Sequence, residues 1–401
     1  MLSLRFDDDD VIYEKEHQDY IIHEDTSIDY ITEEMCFHGI DMQGIEWSKE
    51  YITREEYREQ RNKGFKAYKS CKEQQEQQES DRKKQQSIHP IADNEEFYSF
   101  SCSKLREPCS IGHFQLRDLV SVTNKNNIYY MHQNSIKQWS PLRQSSQTVV
   151  DLSFIKVTSM SCAHGMLLAG GFEGEVVYKR IDEPSLHYHT PQHDLGIINH
   201  ADIIESNGGG LSALISSNNN QINTINFETS NTEKIIKLPF AVNCTALDRD
   251  ILCVVGDSTE TRLIDLRSCQ NIASINEHTD YSFSCAWHPS GMAFATGNQD
   301  GTTRVYDVRN TSNAMYVLGS RMGSISSLKY SNDGAFLIAA ESVDFVHVYE
   351  TDDYASSQVM DMFGDIAGIG LSPDDQALYI VNTDEHMGGI FEFQRIQQDP
   401  V

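Results

Sequence analysis

His187, His189, His193 and His200 are the densest group of potential ligands in this 401-residue chain. His187 and His189 would share one face of a strand, a spacing that could hold a metal ion. No cysteine joins them, and the surrounding EPSLHYHTPQHD reads as a loop or edge strand, so no metal is expected. Gly208, Gly209 and Gly210 lack the strand–GxxxxGK–helix setting of a phosphate cradle and read as an inter-strand loop. Neither GxSxG nor HExxH occurs, no paired acids stand out, and no catalytic residue or cofactor is expected. One doubled pattern rises above this background: Asp265-Leu266-Arg267 and Asp307-Val308-Arg309 close two alternating apolar stretches. An Asp beside an Arg, whose planar fork suits a desolvated polar contact, is recognition chemistry rather than catalysis.

The elements that would position these residues are strands. His278 to Asn310 alternates apolar residues through SFSCAW, turns at HPSG, runs through MAFATG to an NQDG turn, and ends a third strand at Tyr306-Asp307. Short strands joined by Gly, Asp, Asn and Pro turns describe a small twisted sheet of hairpins. Such a sheet cannot bury both apolar faces alone, so it demands copies of itself. Turn anchors recur at Asn126, Glu173, Asn219, Ser258, Asp300, Asp344 and Glu385, spaced 47, 46, 39, 42, 44 and 41 residues apart. That is the period of a four-stranded propeller blade. Seven blades fit residues 100–397, with six or eight also compatible because the first is the most worn.

The His278–Asn310 unit closely resembles a WD repeat. The resemblance implies a structural relay in which Asp300 fixes a turn and a His tautomer, His278 bonds Thr296, and the hydroxyl meets an aromatic donor, here Tyr306 in place of the usual Trp. A second resemblance rests on Asp41 to Trp47, His113-Phe114-Gln115-Leu116-Arg117, Ala169 to Glu175, Ala295 to Asp300 and Asp344 to Tyr349. These phrases are similar to an uncharacterised WD-repeat family of fungi and plants, which implies no established activity. The doubled Asp-x-Arg endings resemble the box of substrate receptors for cullin-4 ubiquitin ligases, although both lack its leading Trp. That resemblance implies that Asp265, Arg267, Asp307 and Arg309 meet a ligase adaptor.

Composition narrows the partners. A net charge of −28 argues against a nucleic-acid or anionic membrane surface. Residues 1–46 hold 14 acids against Arg5 and Lys15, whereas 47–96 are neutral. Disorder is therefore expected over 1–40. Over 41–96 a Trp-containing turn precedes a helix from about 54 to 75, opened by a Thr53/Glu56 capping box and followed by a Gln-rich run. Trp47, Tyr57, Phe65 and Tyr68 would tether this segment to a ring spanning 97–397, or offer it to a partner. No apolar run is long enough to span a bilayer, and nine scattered cysteines without CxxC suit a reducing cytoplasm or nucleus.

The expectation is thus an all-β, seven-bladed WD-repeat β-propeller with a disordered acidic extension and a short helix. Its expected work is non-catalytic protein binding, as a monomeric ring within a complex. Alternatives are a cullin-4 substrate receptor and an enzyme acting in the channel.

Overall fold

The structure is a computed structural model that describes residues 28–76, 88–93, 95–113, 115, 117–189, 196–205 and 209–397, with 66–76 as backbone only. Five antiparallel sheets of four strands and one of eight, which a long shared strand divides into two, form a closed ring of seven blades. Blades 1 to 5 occupy 120–151, 157–189, 198–237, 242–275 and 282–319, each in simple up-and-down order. Blade 6 begins at 325. Its fourth strand belongs to the long Ser357–Leu371, whose first part pairs with Val343–Glu350 and whose second opens blade 7 against Ala377–Asn382. Blade 7 takes its outer strand from the other end of the chain: Tyr98–Leu105 pairs with Gly389–Arg395, Tyr98 opposite Arg395 and Leu105 opposite Gly389. Joining distant segments in one sheet closes the ring and leaves no blade incomplete.

Apolar alternation fills the seams between blades. Ala295, Val305 and Leu318 of blade 5 meet Ile325, Leu328, Leu337 and Ala339 of blade 6 in one cluster. Polar bonds knit the inner strands around the channel. Thr158 Oγ1 donates to Ile198 O at 2.6 Å, Asn199 Nδ2 to Val242 O at 2.9 Å, and Asn243 Nδ2 to Ser282 O at 3.1 Å. Each donor sits at an inner-strand bulge and reaches the first residue of the next blade's inner strand. We call upper the face bearing the second-to-third-strand turns and the links between blades, and lower the face bearing the other turns.

Two expectations need correction. Asn126 lies in the turn between the first two strands of blade 1, Val120–Asn124 and Asn127–His132, so it is one strand early. The turn matching the other anchors is at Gln133 and Asn134, with Gln133 at φ 52°. Both turns are short and Asn-rich, so their composition does not separate them. The acidic tail also does not run to residue 40. Tyr30–Thr32 adds a fifth strand to blade 7, pairing Tyr30 with Lys104, and Ile31 is buried. One apolar side chain in a ready-made sheet edge offsets the surrounding acidity. The expected disorder of residues 1–27 lies outside the described residues.

Helix α1 (Glu33–Phe37) follows, capped by the Thr32 hydroxyl accepting from Met35 N at 3.4 Å. Helix α2 (Arg54–Glu76) begins with a reciprocal box: Thr53 N donates to Glu56 Oε2 at 2.8 Å and Glu56 N to Thr53 Oγ1 at 3.2 Å. Residues 88–93 then run along the outer edge of blades 5 and 6, where Ala92 N donates to Ala355 O and Ser357 N to Ala92 O.

Candidate interaction sites on the ring

The blade 5 relay is built from an inter-blade link, a turn and two strands. His278 Nδ1 lies 3.0 Å from Asp300 Oδ2, and Nε2 lies 2.8 Å from Thr296 Oγ1. Asp300 also accepts from Thr279 N at 3.2 Å, Thr302 N at 2.9 Å and Thr302 Oγ1 at 2.6 Å. These bonds outweigh burial and hold the Asp300 carboxyl at about 2. Burial pushes His278 below the usual imidazole range, so it is a neutral ring donating from Nδ1 and accepting at Nε2. Tyr306 is the break in the row. Its ring stacks on Phe294 at 5.1 Å, and its buried hydroxyl has no hydrogen-bond partner although Thr296 and Glu277 are neighbours. The relay residues are sealed in and bonded to one another, which is a structural use of polar groups.

On the upper face, the extension lies over the seam of blades 6 and 7. Asp41 organises its turn by accepting from Gln43 N and Ile45 N, both at 2.9 Å, and from Trp47 Nε1 at 2.6 Å. The buried Gln43 amide then reads ring backbone, donating to Phe363 O at 2.7 Å and Met387 O at 3.0 Å while accepting from Phe363 N at 2.7 Å. Trp47 and Tyr57 flank the Phe363 ring at 5.7 and 4.8 Å. Phe65 is further along α2, and Tyr68 is in the part whose side chains lie outside the described residues.

Three arginines one helical turn apart complete this contact. Arg54 Nη2 meets Asp361 Oδ1 at 2.9 Å; Arg58 meets Asp344 and Asp361, both at 2.5 Å; Arg61 grips Asp344 with two bonds of 2.8 Å. The Arg58 guanidinium also stacks over Phe345 and Phe363 at 4.6 and 4.3 Å. Asp344 is fully buried and adopts φ 68°. Sequence reading singles out the aromatics and passes over Gln43, Arg54 and Arg58. The signal was present in the Arg54, Arg58 and Arg61 spacing along one helix face.

The Asp-x-Arg residues lie on the opposite, lower face. Asp265 Oδ1 accepts from Arg267 N at 2.8 Å, and Asp307 Oδ1 from Arg309 N at 2.8 Å, so each Asp fixes the turn after its blade's third strand. Arg267 pairs with Asp250 at 2.8 Å and Arg309 with Asp307 at 2.5 Å, their side chains 67% and 69% exposed. Met292 and Met315, on neighbouring lower turns of blade 5, are 43% and 46% exposed. The histidine group is dispersed. His187 and His189 lie on the outer strand of blade 2, His200 faces the channel, and His193 lies outside the described residues.

The channel is a cavity of about 340 Å³ lined by the inner strands of blades 1 to 6 and by Arg117 and Asp118, which lead into blade 1. Asp118 stands 3.5 Å from His200 Nε2 and 3.6 Å from Lys329 Nζ. Burial opposes its charge, but these two cations outweigh it and hold the carboxyl below its usual range. His200 Nδ1 lies 3.4 Å from Thr245 Oγ1, with the Cys244 thiol also against the ring. A hydrogen bond with Cys285, and then burial, push the Cys244 thiol well above the cysteine range.

A family model for the WD domain, G-beta repeat, matches residues 269–307. An uncharacterised protein of Schizosaccharomyces pombe is 29% identical over 265 residues, covering 60% of this chain and 74% of its own. Coronin-7 of Rattus norvegicus is 36% identical over 83 residues, 21% of this chain and 9% of that protein. Histone acetyltransferase type B subunit 2 of Candida glabrata is 27% identical over 145 residues, 35% of this chain and 33% of that one. The chain therefore spans most of the first relative and a third or less of the other two. The matched repeat includes most of the blade in which His278 bonds Asp300, and the remaining sheets repeat its strand order: the chain carries a WD repeat at residues 269–307 within a β-propeller fold.

Proposed function

We propose that this protein is a non-catalytic scaffold that holds a protein partner on the lower face of blades 4 and 5. The observation that carries this reading is the placement of Arg267 and Arg309 at equivalent turns of adjacent blades, both largely exposed. An exposed ion pair is worth about 0–1 kcal/mol, so lending either guanidinium to a partner costs little. Asp250 and Asp307 meanwhile hold the forks in place, which lowers the ordering cost of binding. The exposed Met292 and Met315 supply adaptable apolar area beside them. One relative is named as a subunit of a histone acetyltransferase, a precedent for such a ring inside a complex. Among the described residues no helix is long and apolar enough to cross a membrane, and the eight described cysteines are free. We place the protein in the cytoplasm or nucleus.

The specific partner that the paired Asp-x-Arg turns favour is a cullin-4 ligase adaptor, which would make the protein a substrate receptor. Affinity capture with the wild type and the Arg267→Ala/Arg309→Ala double variant tests both levels. Loss of one desolvated Arg contact costs about 2 kcal/mol or more, so the double change should abolish co-purification of any lower-face partner while the melting temperature holds. A partner set identical for both proteins overturns the docking surface. A partner lost with the double change that is not the adaptor keeps the scaffold and removes the ligase.

A further inference from the structure

The channel wall between blades 4 and 5 carries two thiols that neither ring closure nor the lower-face surface uses. In blades 2 to 6 each inner strand bulges after its first residue, which sets a common register. Ser159, His200 and Cys244 are equivalent in that register, and each turns toward the following blade. Ser159 Oγ accepts from Ala201 N at 2.9 Å, and His200 Nδ1 lies 3.4 Å from Thr245 Oγ1. The residues met, Ala201 and Thr245, are equivalent too, and the next in the series is Cys285. At this seam alone of the three, both positions are cysteine. Cys285 Sγ points back into blade 4, 3.6 Å from Cys253 O, and its thiol neighbours that of Cys244. Both residues line the channel cavity. Cys244 and Cys285 also belong to the apolar cluster of blades 4 and 5, whereas the buried Cys109, Cys162 and Cys253 do not line that cavity.

We propose that Cys244 and Cys285 form a redox-active dithiol, oxidised to an intramolecular disulfide by hydrogen peroxide entering the channel. Thiols on the inner strands of adjacent blades, at the pair of positions whose equivalents touch at the two preceding seams, are placed for a disulfide. In the first step the Cys244 sulfur attacks one peroxide oxygen and gives up its own proton to the other. The O–O bond breaks, Cys244 becomes a sulfenic acid, and the departing hydroxide takes that proton to leave as water. The Cys285 sulfur then attacks the sulfenic sulfur; the S–S bond forms, the S–O bond breaks, and the hydroxyl leaves with the Cys285 proton as a second water. Two thiols and one peroxide yield one disulfide and two waters, with sulfur oxidised and peroxide oxygen reduced.

The test treats the folded, full-length protein with hydrogen peroxide, then unfolds and alkylates it for peptide mass mapping. The expected result is a Cys244–Cys285 linked peptide, two fewer alkylated thiols, and recovery of both by dithiothreitol. The Cys285→Ser variant should stop at a Cys244 sulfenic acid that dimedone traps. Full alkylation of both thiols after peroxide overturns the proposal, as does a linked peptide joining other cysteines. The same linked peptide forming equally fast in urea also overturns it, because the fold would then contribute nothing. The wild-type readout stands whether or not the serine variant folds.

Discussion

Blades 5 and 6 have second-to-third-strand turns of equal length, yet they use them for different work. Gly297 and Thr303 pair across one, Ala340 and Val346 across the other, so Gly301 and Asp344 correspond. Both take positive φ, 76° and 68°. Blade 5 places glycine there and lets the preceding Asp300 hold its own blade's His278. Blade 6 places a carboxylate in that left-handed position, where Asp is tolerated better than most side chains. There it meets Arg58 and Arg61 from 283 or more residues away. One turn stabilises a repeat from within, and the other receives a segment from outside it. A propeller can convert a structural turn into a docking site without changing the strand ladder.

The largest effect should come from severing the blade 6 contact. Asp344→Gly suits φ 68° and so adds no backbone strain, while it removes the acceptor of Arg58, of Arg61 and of the ring's own Gly364 N at 2.8 Å. Breaking a buried pair by deleting one partner costs about 3–5 kcal/mol. Here the loss should fall on docking of the extension, because the stranded arginines can regain water by lifting off. Proteolysis between Trp47 and Tyr57 should be slow in the wild type and become rapid in this variant, while the ring still melts cooperatively. Unchanged cleavage would mean that Gln43 and the aromatics hold the segment without the arginines.

The blade 5 counterpart should behave in the opposite way. Asp300→Ala leaves His278 and two Thr302 donors unsatisfied, with a cost on the order of 1–3 kcal/mol. The melting temperature should fall and the extension remain docked. Equal melting temperatures would show that the turn relaxes without loss. The neutral His278 adds a pH signature. Its folded-state value lies below the unfolded value of 6.5, so the unfolded chain binds more protons in that window. Stability is full above about pH 6.5 and declines as pH falls toward the folded-state value. Urea midpoints at pH 7.5 and 5.5 should differ less in His278→Gln than in wild type, and an identical difference would assign the acid sensitivity elsewhere.

The contrast was only half visible in the sequence. Ring and period are legible because inner-strand alternation and polar turns recur within each repeat, as in SFSCAW and NQDG. Blade 1 misleads because two Asn-rich turns flank one strand, and only pairing in space distinguishes them. Tyr30–Thr32 is hidden by the acids around it, since its strand exists through the edge of Tyr98–Leu105. The partners of Asp344 lie far along the chain, and so do the blades that bring Asp118, His200 and Cys244 together. Local periodicity carries no record of such pairings.

The smallest expected effect concerns Tyr306, where the relay of blade 5 ends. A Trp at this position would offer a ring N–H; tyrosine offers a hydroxyl at a different reach, and it is buried without a partner. An unsatisfied buried hydroxyl is a standing cost, and replacing it with an apolar atom of similar shape is nearly neutral or stabilising. Tyr306→Phe keeps the stack on Phe294 and removes only the oxygen. Its stability should equal the wild type within about 0.5 kcal/mol or exceed it. A loss above about 1 kcal/mol would place a water or the Glu277 carboxylate on that hydroxyl and extend the relay by one link. In that case Asp300→Ala and Tyr306→Phe should be non-additive, as members of one network are. If the two effects simply add, the relay ends at Thr296, and tyrosine serves blade 5 by its ring alone.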